Sequence, residues 1–301
     1  MTTSARMRLA IFAALLTAFA ARAPARAEAP GTGPDALLYT RLCGQVVASY
    51  DSTRGGWVTK GGEPMPGAIA LGFAQARDRG PGLWKACALA SVEWTWTLFD
   101  SVGGGFYQRL DNTKSDNPSF EKRTDSNAER LENLIDACRA TGDVRLRQHA
   151  AQVADYFDRV LLDGRGGFVN GQSGDRELAP RSNGMATHAW LKWAALTGQA
   201  RVRDFALLSL DRGWKQCWQE PFGMLRRGTF GEIEGVPQLT DQVEMGRACV
   251  LGAHLASRAV DLERAEHIGE LIETSFVDPK KGCWRTQAAG GKNGKIKNAA
   301  C

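Results

Sequence analysis

Three polar residues recur at one interval in this chain. Asp125, Asn183 and Asp241 fall 58 positions apart, each directly after a Thr or Ser. If the fold gathers them, two carboxylates can act as general acid and base on a glycosidic bond, or hold a sugar through its hydroxyls. Glu121 and Glu244 supply further carboxylates in the same zones, so Asp125, Asp241, Glu244 and Glu121 are the catalytic candidates. The structural alternative is capping, because Asp or Asn just before an apolar helical run satisfies free backbone N–H groups. Asp241 with Glu244 also reads as an Asp variant of the capping box.

Histidine would suit a different reaction, in which a base removes a proton beside a carbonyl and a sugar is isomerised. Only four histidines exist, at 149, 188, 254 and 267. His188, in the first turns of a helix, is the one retained as a ligand-binding candidate, together with Asn183. Trp57 and Phe106 are added because sugar rings stack on aromatic faces, although core packing is the commoner use of such rings. No H-x-H, H-E-x-x-H or C-x-x-C spacing occurs, and no Gly-rich phosphate loop follows a strand. Neither a metal nor any cofactor is therefore expected.

The elements that must position these residues show themselves as a repeat. An acid followed by Gly-Gly-aromatic, or a relic of it, appears at Asp51…Trp57, Asp100…Phe106, Asp163…Phe168, Glu220…Met224 and Asp278…Trp284. The closing apolar residues are spaced by 49, 62, 56 and 60 positions, which marks a repeated supersecondary unit. Between the signals lie pairs of helix-period stripes, such as Ala128-Leu131-Leu134-Ile135-Cys138 and Ala151-Ala154-Tyr156-Phe157-Val160. Thr141-Gly142-Asp143 breaks that pair and Thr197-Gly198 breaks the next, with Gly as the stop signal. Helices are predicted over 35–49, 67–78, 82–99, 184–197, 200–217, 240–257 and 261–276 besides that pair, about nine in all. Strands should be short and confined to the Gly-aromatic turns.

Short links make consecutive helices antiparallel neighbours. The longer Gly-aromatic loops then share one end of the assembly. Such hairpins can curl into a ring, with small residues (Ala128, Ala186, Gly246, Ala248, Gly252) on its inner helices, or stack as an open solenoid.

Composition adds the setting. Arg6 and Arg8 precede the apolar run Leu9–Ala20, and Ala25-Arg26-Ala27 follows, the pattern of a cleaved secretory signal peptide over residues 1–27. The run is shorter than the ~20 apolar residues that span a bilayer, so no stable membrane insertion is expected after cleavage. The expected location is periplasmic or secreted. A helical domain over 28–285 and a polar tail over 286–301 complete the organisation. The formal charge of +5 misleads, since ten of the 38 basic residues lie in the leader and beyond residue 279, leaving 28 bases against 33 acids between. A mildly acidic body gives no footprint for nucleic acid. The seven scattered cysteines form no redox or zinc motif, and Cys138 and Cys249 fall in apolar stripes as core residues.

A family resemblance rests on Gly103-Gly104-Gly105-Phe106, Asp111, Pro118-Ser119-Phe120-Glu121-Lys122 and Asn127-Ala128. This order resembles the helical domain of the spermatogenesis-associated, thioredoxin-domain-containing proteins, which carry G-G-G-F, D, P-H-F-E-K and D-N-A. Gly55-Gly56-Trp57 with Glu63-Pro64-Met65-Pro66, and Thr240-Asp241-Gln242-Val243 leading to Asp278-Pro279, extend the likeness over roughly 45–285. Asn127, from this motif, joins the ligand-binding candidates. The resemblance implies an all-α fold, the (α/α)6 toroid shared by six-hairpin glycosidases and sugar epimerases, here possessing about nine of its twelve helices and no thioredoxin-like domain. It implies a carbohydrate or another small polar molecule as ligand. Ser119 and Ser126 stand where the family has His and Asp. The expected function is an exported protein that hydrolyses or isomerises a sugar, and the alternative is a non-catalytic glycan-binding or protein-interaction scaffold.

Overall fold

A computed structural model describes residues 34–109, 120–174, 177–228, 231–278 and 283–288. Residues 1–33, where a signal peptide is expected, those from 289 onward, Asp111, Pro118, Ser119, Pro279 and Gly282 lie outside the described residues. The chain divides into two compact units, Met1–Thr97 and Leu98–Cys301. Among the described residues no helix is long and apolar enough to cross a membrane.

The first unit holds α1 (Pro34–Ala48), α2 (Pro66–Arg79) and α3 (Gly82–Trp96). Pro66 opens α2 at a position where its missing N–H is no loss. The first Gly-aromatic signal is a tight turn wrapped by its own acid. Asp51 Oδ1 accepts the N–H groups of Thr53 and Arg54, and the Asp51 N–H reaches Gly56 O at 2.9 Å. Trp57, which closes the turn, donates its N–H to Ser91 Oγ (2.9 Å) and its indole N–H to Val46 O (2.7 Å). Its ring packs edge-on to Tyr50 and beside Trp84. Gly72 makes room for it, because a Cβ there would lie 2.8 Å from the indole.

The second unit contains three helical hairpins: α4 (Thr124–Thr141) with α5 (Val144–Tyr156), α6 (Pro180–Thr197) with α7 (Ala200–Cys217), and α8 (Leu239–Ala256) with α9 (Ala259–Ser275). A π-helical turn, Phe157–Leu161, extends α5. The predicted breaks are where the sequence placed them. Gly142 (φ 71°) and Gly198 (φ 74°) end α4 and α6 in the left-handed conformation that glycine adopts without steric penalty. Asp143 then caps α5 by accepting the Arg145 N–H at 2.7 Å. The third hairpin uses Ser257, at φ 53°, for the same bend.

Helices α4, α6 and α8 lie side by side, and α5, α7 and α9 each cover their own partner. α6 sits in the middle and is buried on nearly every face from Pro180 to Ala194. Gly184 lets α8 touch it backbone to backbone, since a Cβ there would lie 2.6 Å from the Glu244 carbonyl carbon. The other small residues are also buried, but Gly246 faces Ile268 of α9, and Gly252 faces Leu210 of α7 and Asp261 of α9. Those two glycines therefore serve packing between the layers rather than close approach along the row.

The loops entering α4, α6 and α8 share one rim in this unit. The Thr124 N–H bonds Asn170 O, Leu178 and Arg227 exchange backbone hydrogen bonds, and the Leu239 N–H bonds Thr286 O. The strands of the unit are two-residue antiparallel pairs at these turns: β1 (Trp218–Gln219) with β2 (Gly223–Met224), β3 (Arg226–Arg227) with β4 (Ile233–Glu234), and β5 (Val277–Asp278) with β6 (Cys283–Trp284). Cys43, Cys87, Cys138, Cys217 and Cys249 are free thiols, with Cys138 and Cys249 buried as expected, and Cys283 is disulfide-bonded.

Candidate functional site

The second unit is polar along its middle, in layers that run across α4, α6 and α8. The layer nearest the rim is a set of clamps. Asn127 Oδ1 accepts the Phe106 N–H at 2.7 Å, while its Nδ2 donates to Phe106 O and Arg123 O. Asn183 does the same for Phe168, with its third bond to Ala179 O. Gln242 repeats the pattern on Met224 and Gln238 O. A planar amide carries an acceptor and a donor side by side, so it can pair with both polar groups of one backbone residue. All three amides are buried. These clamps fix each Gly-aromatic loop onto the helix that follows it.

The clamps set the true register of the repeat. Asn127 corresponds to Asn183 at 56 residues and to Gln242 after a further 59. The interval of 58 that linked Asp125, Asn183 and Asp241 is therefore not a structural equivalence. The ligand-binding candidates Asn127 and Asn183 spend their amides on the loops. Trp57 and Phe106 are 1% exposed, with the Arg130 guanidinium over the Phe106 ring, so neither presents a face on which a sugar could stack.

Carried along the row, the same register places Asp125 beside Arg181, Glu132 beside His188 and Asp136 beside Lys192, each pair 56 residues apart. Arg247 extends the Glu132–His188 level, 115 residues from Glu132. Glu132 is at the centre. Its Oε1 meets His188 Nδ1 at 2.9 Å, and its Oε2 accepts from Arg247 at 3.2 Å with Lys192 Nζ at 3.8 Å. Burial opposes a charge on Glu132, but His188, Arg247 and Lys192 outweigh it and hold its pKa well below the usual range. Burial lowers the pKa of His188, which is therefore neutral near pH 7 and donates its Nδ1–H to the carboxylate. Lys192, 1% exposed, donates to Asp136 at 2.7 Å.

One turn nearer the rim, the equivalent positions are Glu129 on α4, Met185 on α6 and Glu244 on α8. Glu129 is half-buried and makes no hydrogen bond or ion pair with any described residue. Its burial pushes the pKa up to about 7, against the charge of Arg181 and with the help of Asp125 and Glu244. Glu244 is held by Arg247 at 2.5 Å, and burial raises its pKa too. Here two carboxyls, on the first and third helices of the row, influence each other's charge; burial raises the pKa of both, and at Glu244 the Arg247 guanidinium opposes that rise.

The remaining candidates are placed as follows. Asp125, 3% exposed, is not a side-chain cap; it takes two hydrogen bonds from Arg123 and one, at 2.5 Å, from Arg181. Burial resists its ionisation, yet the hydrogen bonds of Arg123 and the charge of Arg181 lower its pKa. Asp241, also buried, accepts the backbone N–H of Arg181 at 3.0 Å across to α6, and burial raises its pKa. Asp125 also accepts one N–H of its own first turn, from Ser126 at 2.8 Å, whereas the partner of Asp241 is the Arg181 amide of α6. Glu121 is exposed on the rim, 3.7 Å from Arg123. The structure thus brings Asp125, Asp241, Glu244 and His188 into one row and leaves Glu121 outside it. The sequence reading missed Glu129, Glu132, Arg181 and Arg247. Their signal was present, since sliding the chain against itself by 56 residues sets Asp125, Glu132 and Asp136 opposite Arg181, His188 and Lys192. Among the described residues no cluster of metal-binding side chains occurs.

No protein-family model matches this chain, and no curated protein matches it. Solved structures do. A cellobiose 2-epimerase from Bacillus thermoamylovorans B4167 superposes with a TM-score of 0.66 at 12% identity, covering 85% of this chain and 77% of that one. A GH76 alpha-mannanase from Bacteroides thetaiotaomicron gives 0.62 at 15% identity, covering 78% and 63%. A D-mannose isomerase gives 0.59 at 14% identity, covering 73% and 63%, so this chain spans less than two thirds of the length of that structure. The fold is of the all-α (α/α)6 toroid type, with nine α-helices among the described residues. That agrees with the all-α, toroid-like fold of about nine helices that the resemblance implied.

Proposed function

We propose that this chain is a carbohydrate-active protein that hydrolyses a glycosidic bond at the row, with Glu129 as proton donor and Glu244 as the second carboxyl. One observation carries the reading: on the three equivalent positions of the row, two are carboxyls and one of these, Glu129, is committed to no partner among the described residues. A buried charge is normally paired, so a carboxyl left unpaired and reachable by solvent is a group held for chemistry. A pKa near 7 would let Glu129 carry its proton at neutral pH. In the proposed step that proton passes to the glycosidic oxygen as the C–O bond breaks. Glu244, kept in place by Arg247, takes a proton from the attacking water.

Isomerisation would need a base facing the C–H beside a carbonyl. His188 is the histidine of the row, and it is only 2% exposed, whereas Glu129 is open to solvent, which favours hydrolysis. The neighbours named for sugar chemistry, a 2-epimerase, a mannanase and a mannose isomerase, support a sugar as ligand. The likeness of residues 103–128 to the spermatogenesis-associated family belongs to the same reading. The leader-like residues 1–27 support export, to the periplasm or outside the cell, and the N-terminus of protein recovered from an exporting host tests it. Starting at residue 28 supports export; starting at Met1 removes it.

The activity test is Glu129→Gln and Glu244→Gln on a panel of oligosaccharides, with circular dichroism as the control for folding. Each variant is expected to lose about 10²–10⁴ in kcat. Turnover that survives both changes sinks the reading. Binding by the wild type without any turnover establishes the scaffold alternative instead.

A further inference from the structure

Arg181 is the cation that the proposed chemistry leaves unused. It lies in the first turn of α6, four residues before Met185, so the two share a face of the helix. At the level of Glu129 and Glu244 the middle helix offers only a thioether. The polar group next above it is this guanidinium. The side chain is 40% exposed, and among the described residues its guanidinium makes a single hydrogen bond, from Nη1 to Asp125. The remaining N–H donors of the fork have no partner there. Arg181 is nevertheless fixed from both sides. Asp125 of α4, itself gripped by Arg123, holds the head of the side chain, and Asp241 of α8 holds the backbone N–H. Its charge is felt by Asp125, Glu129, Asp241 and Glu244 alike. A guanidinium held by one nitrogen, on a backbone that Asp241 fixes, with donors left over, is organised to receive something.

We infer that Arg181 anchors the sugar between Glu129 and Glu244 by bridging two of its oxygens, and that Asp125 and Asp241 are positioning residues for Arg181 rather than catalysts. This rests on the hydrolase reading of the same row. A guanidinium fork matches a carboxylate or a pair of neighbouring hydroxyls, where an ammonium would offer only a point charge. The shared chemistry is two oxygens about one fork apart. They can come from the carboxylate of a uronic residue or from the vicinal diol of a neutral sugar.

The test compares wild type, Arg181→Met, Arg181→Lys and Asp125→Asn, with Arg201→Met as a surface control taken from the exposed pair Arg201–Asp158. Calorimetry measures binding of matched neutral and uronic oligosaccharides, and kinetics give kcat and KM. Arg181→Met is expected to weaken binding ten- to a hundredfold, Arg181→Lys to restore little, and Arg201→Met to change nothing. Loss confined to the uronic series assigns the carboxylate, and equal loss on both assigns the diol. Asp125→Asn is expected to raise KM severalfold with kcat within about twofold. Loss of kcat at unchanged KM makes Asp125 a catalyst and overturns the inference, as does wild-type binding by Arg181→Met.

Failure of the hydrolase reading looks different. A wild type that binds but does not turn over, and whose binding falls in Arg181→Met, keeps the anchor and discards the reaction. Titration of 13C-glutamate-labelled protein, with the Glu129 signal assigned from Glu129→Gln, checks the placement without any sugar. Removing the cation must raise the Glu129 midpoint, and an unmoved midpoint overturns the inference. A wild type that binds no sugar of the panel overturns both.

Discussion

The clamp layer and the charged layers of the second unit are built on the same three helices, yet they treat the repeat in opposite ways. At the clamps the equivalent positions keep one chemistry: Asn127, Asn183 and Gln242 each make three hydrogen bonds to one loop residue and its neighbouring turn. Deeper in, the equivalents diverge. Glu132, His188 and Arg247 interlock as unlike groups, while Glu129, Met185 and Glu244 leave two carboxyls without a cation between them at that level. A job done identically in each repeat belongs to the architecture, since every hairpin must fix its own loop. A position that differs from repeat to repeat answers to something that exists once, and a single ligand in the row is such a thing. Glu132 and Glu129, only three residues apart, mark the two ends of this contrast.

The largest effect expected is at Glu132. Glu132→Gln leaves Arg247 and Lys192 without the anion they share in a buried site, and breaking such a network destabilises by about 3–5 kcal/mol. Chemical unfolding at pH 7 measures it. The sign with pH is fixed by the lowered pKa of Glu132. Its contribution is present above the unfolded value of 4.5 and is lost as the pH falls toward the folded value. The gap between wild type and variant must therefore close on acidification. A gap that stays constant down to pH 3 would show that Glu132 is not ionised in the fold, and the contrast between the layers would fail there.

The clamps come next. Asn127→Ala, Asn183→Ala and Gln242→Ala each strand a buried backbone N–H and C=O, at about 2–3 kcal/mol per clamp. Because the geometry is the same, the three losses should agree within about 1 kcal/mol and should not depend on pH between 5 and 8. Equal losses sharpen the comparison. One clamp that proves neutral, with unchanged loop protection in hydrogen exchange, breaks the claim that the layer is uniform.

What could be read from the sequence follows the same division. The architecture was legible because its signals are local. Gly-Gly-aromatic turns need φ > 0, Thr-Gly breaks end helices, and apolar stripes face their partners. The acids before the turns also proved structural, as Asp51, Asp100 and Asp163 each wrap their own loop with side-chain hydrogen bonds to backbone N–H groups. The charged row was not legible from local pattern. Its members sit 56 and 115 residues apart, so they come together only when whole repeats are aligned on their amide clamps. Asp125 and Asp241 were singled out with the right neighbourhood and the wrong alignment, because loops of unequal length make 58 an average rather than a register. Trp57 and Phe106 were misread for a simpler reason. Aromatic rings that end a tight turn are as useful for plugging the core beneath it as for binding, and only burial distinguishes the two.

The smallest effect is the most discriminating, because its sign is reversed. Glu129 has a folded pKa of about 7 against an unfolded value of 4.5, so the folded state binds its proton more tightly than the unfolded chain does. Its influence on stability is nil below pH 4.5 and grows unfavourable as the pH rises through 7. Glu129→Gln, which keeps the shape and removes the titration, should leave stability unchanged at pH 4 and raise it by about 1–3 kcal/mol at pH 8. Thermal unfolding across that range measures the difference. Glu132→Gln and Glu129→Gln are thus the same substitution one turn apart, predicted to act in opposite directions above pH 7. A carboxyl that weakens the fold at working pH gives the fold nothing, which fits the proton donor proposed for Glu129. Glu129→Gln that destabilises at pH 8 would place Glu129 with the structural carboxyls and take the proton donor out of the proposed site.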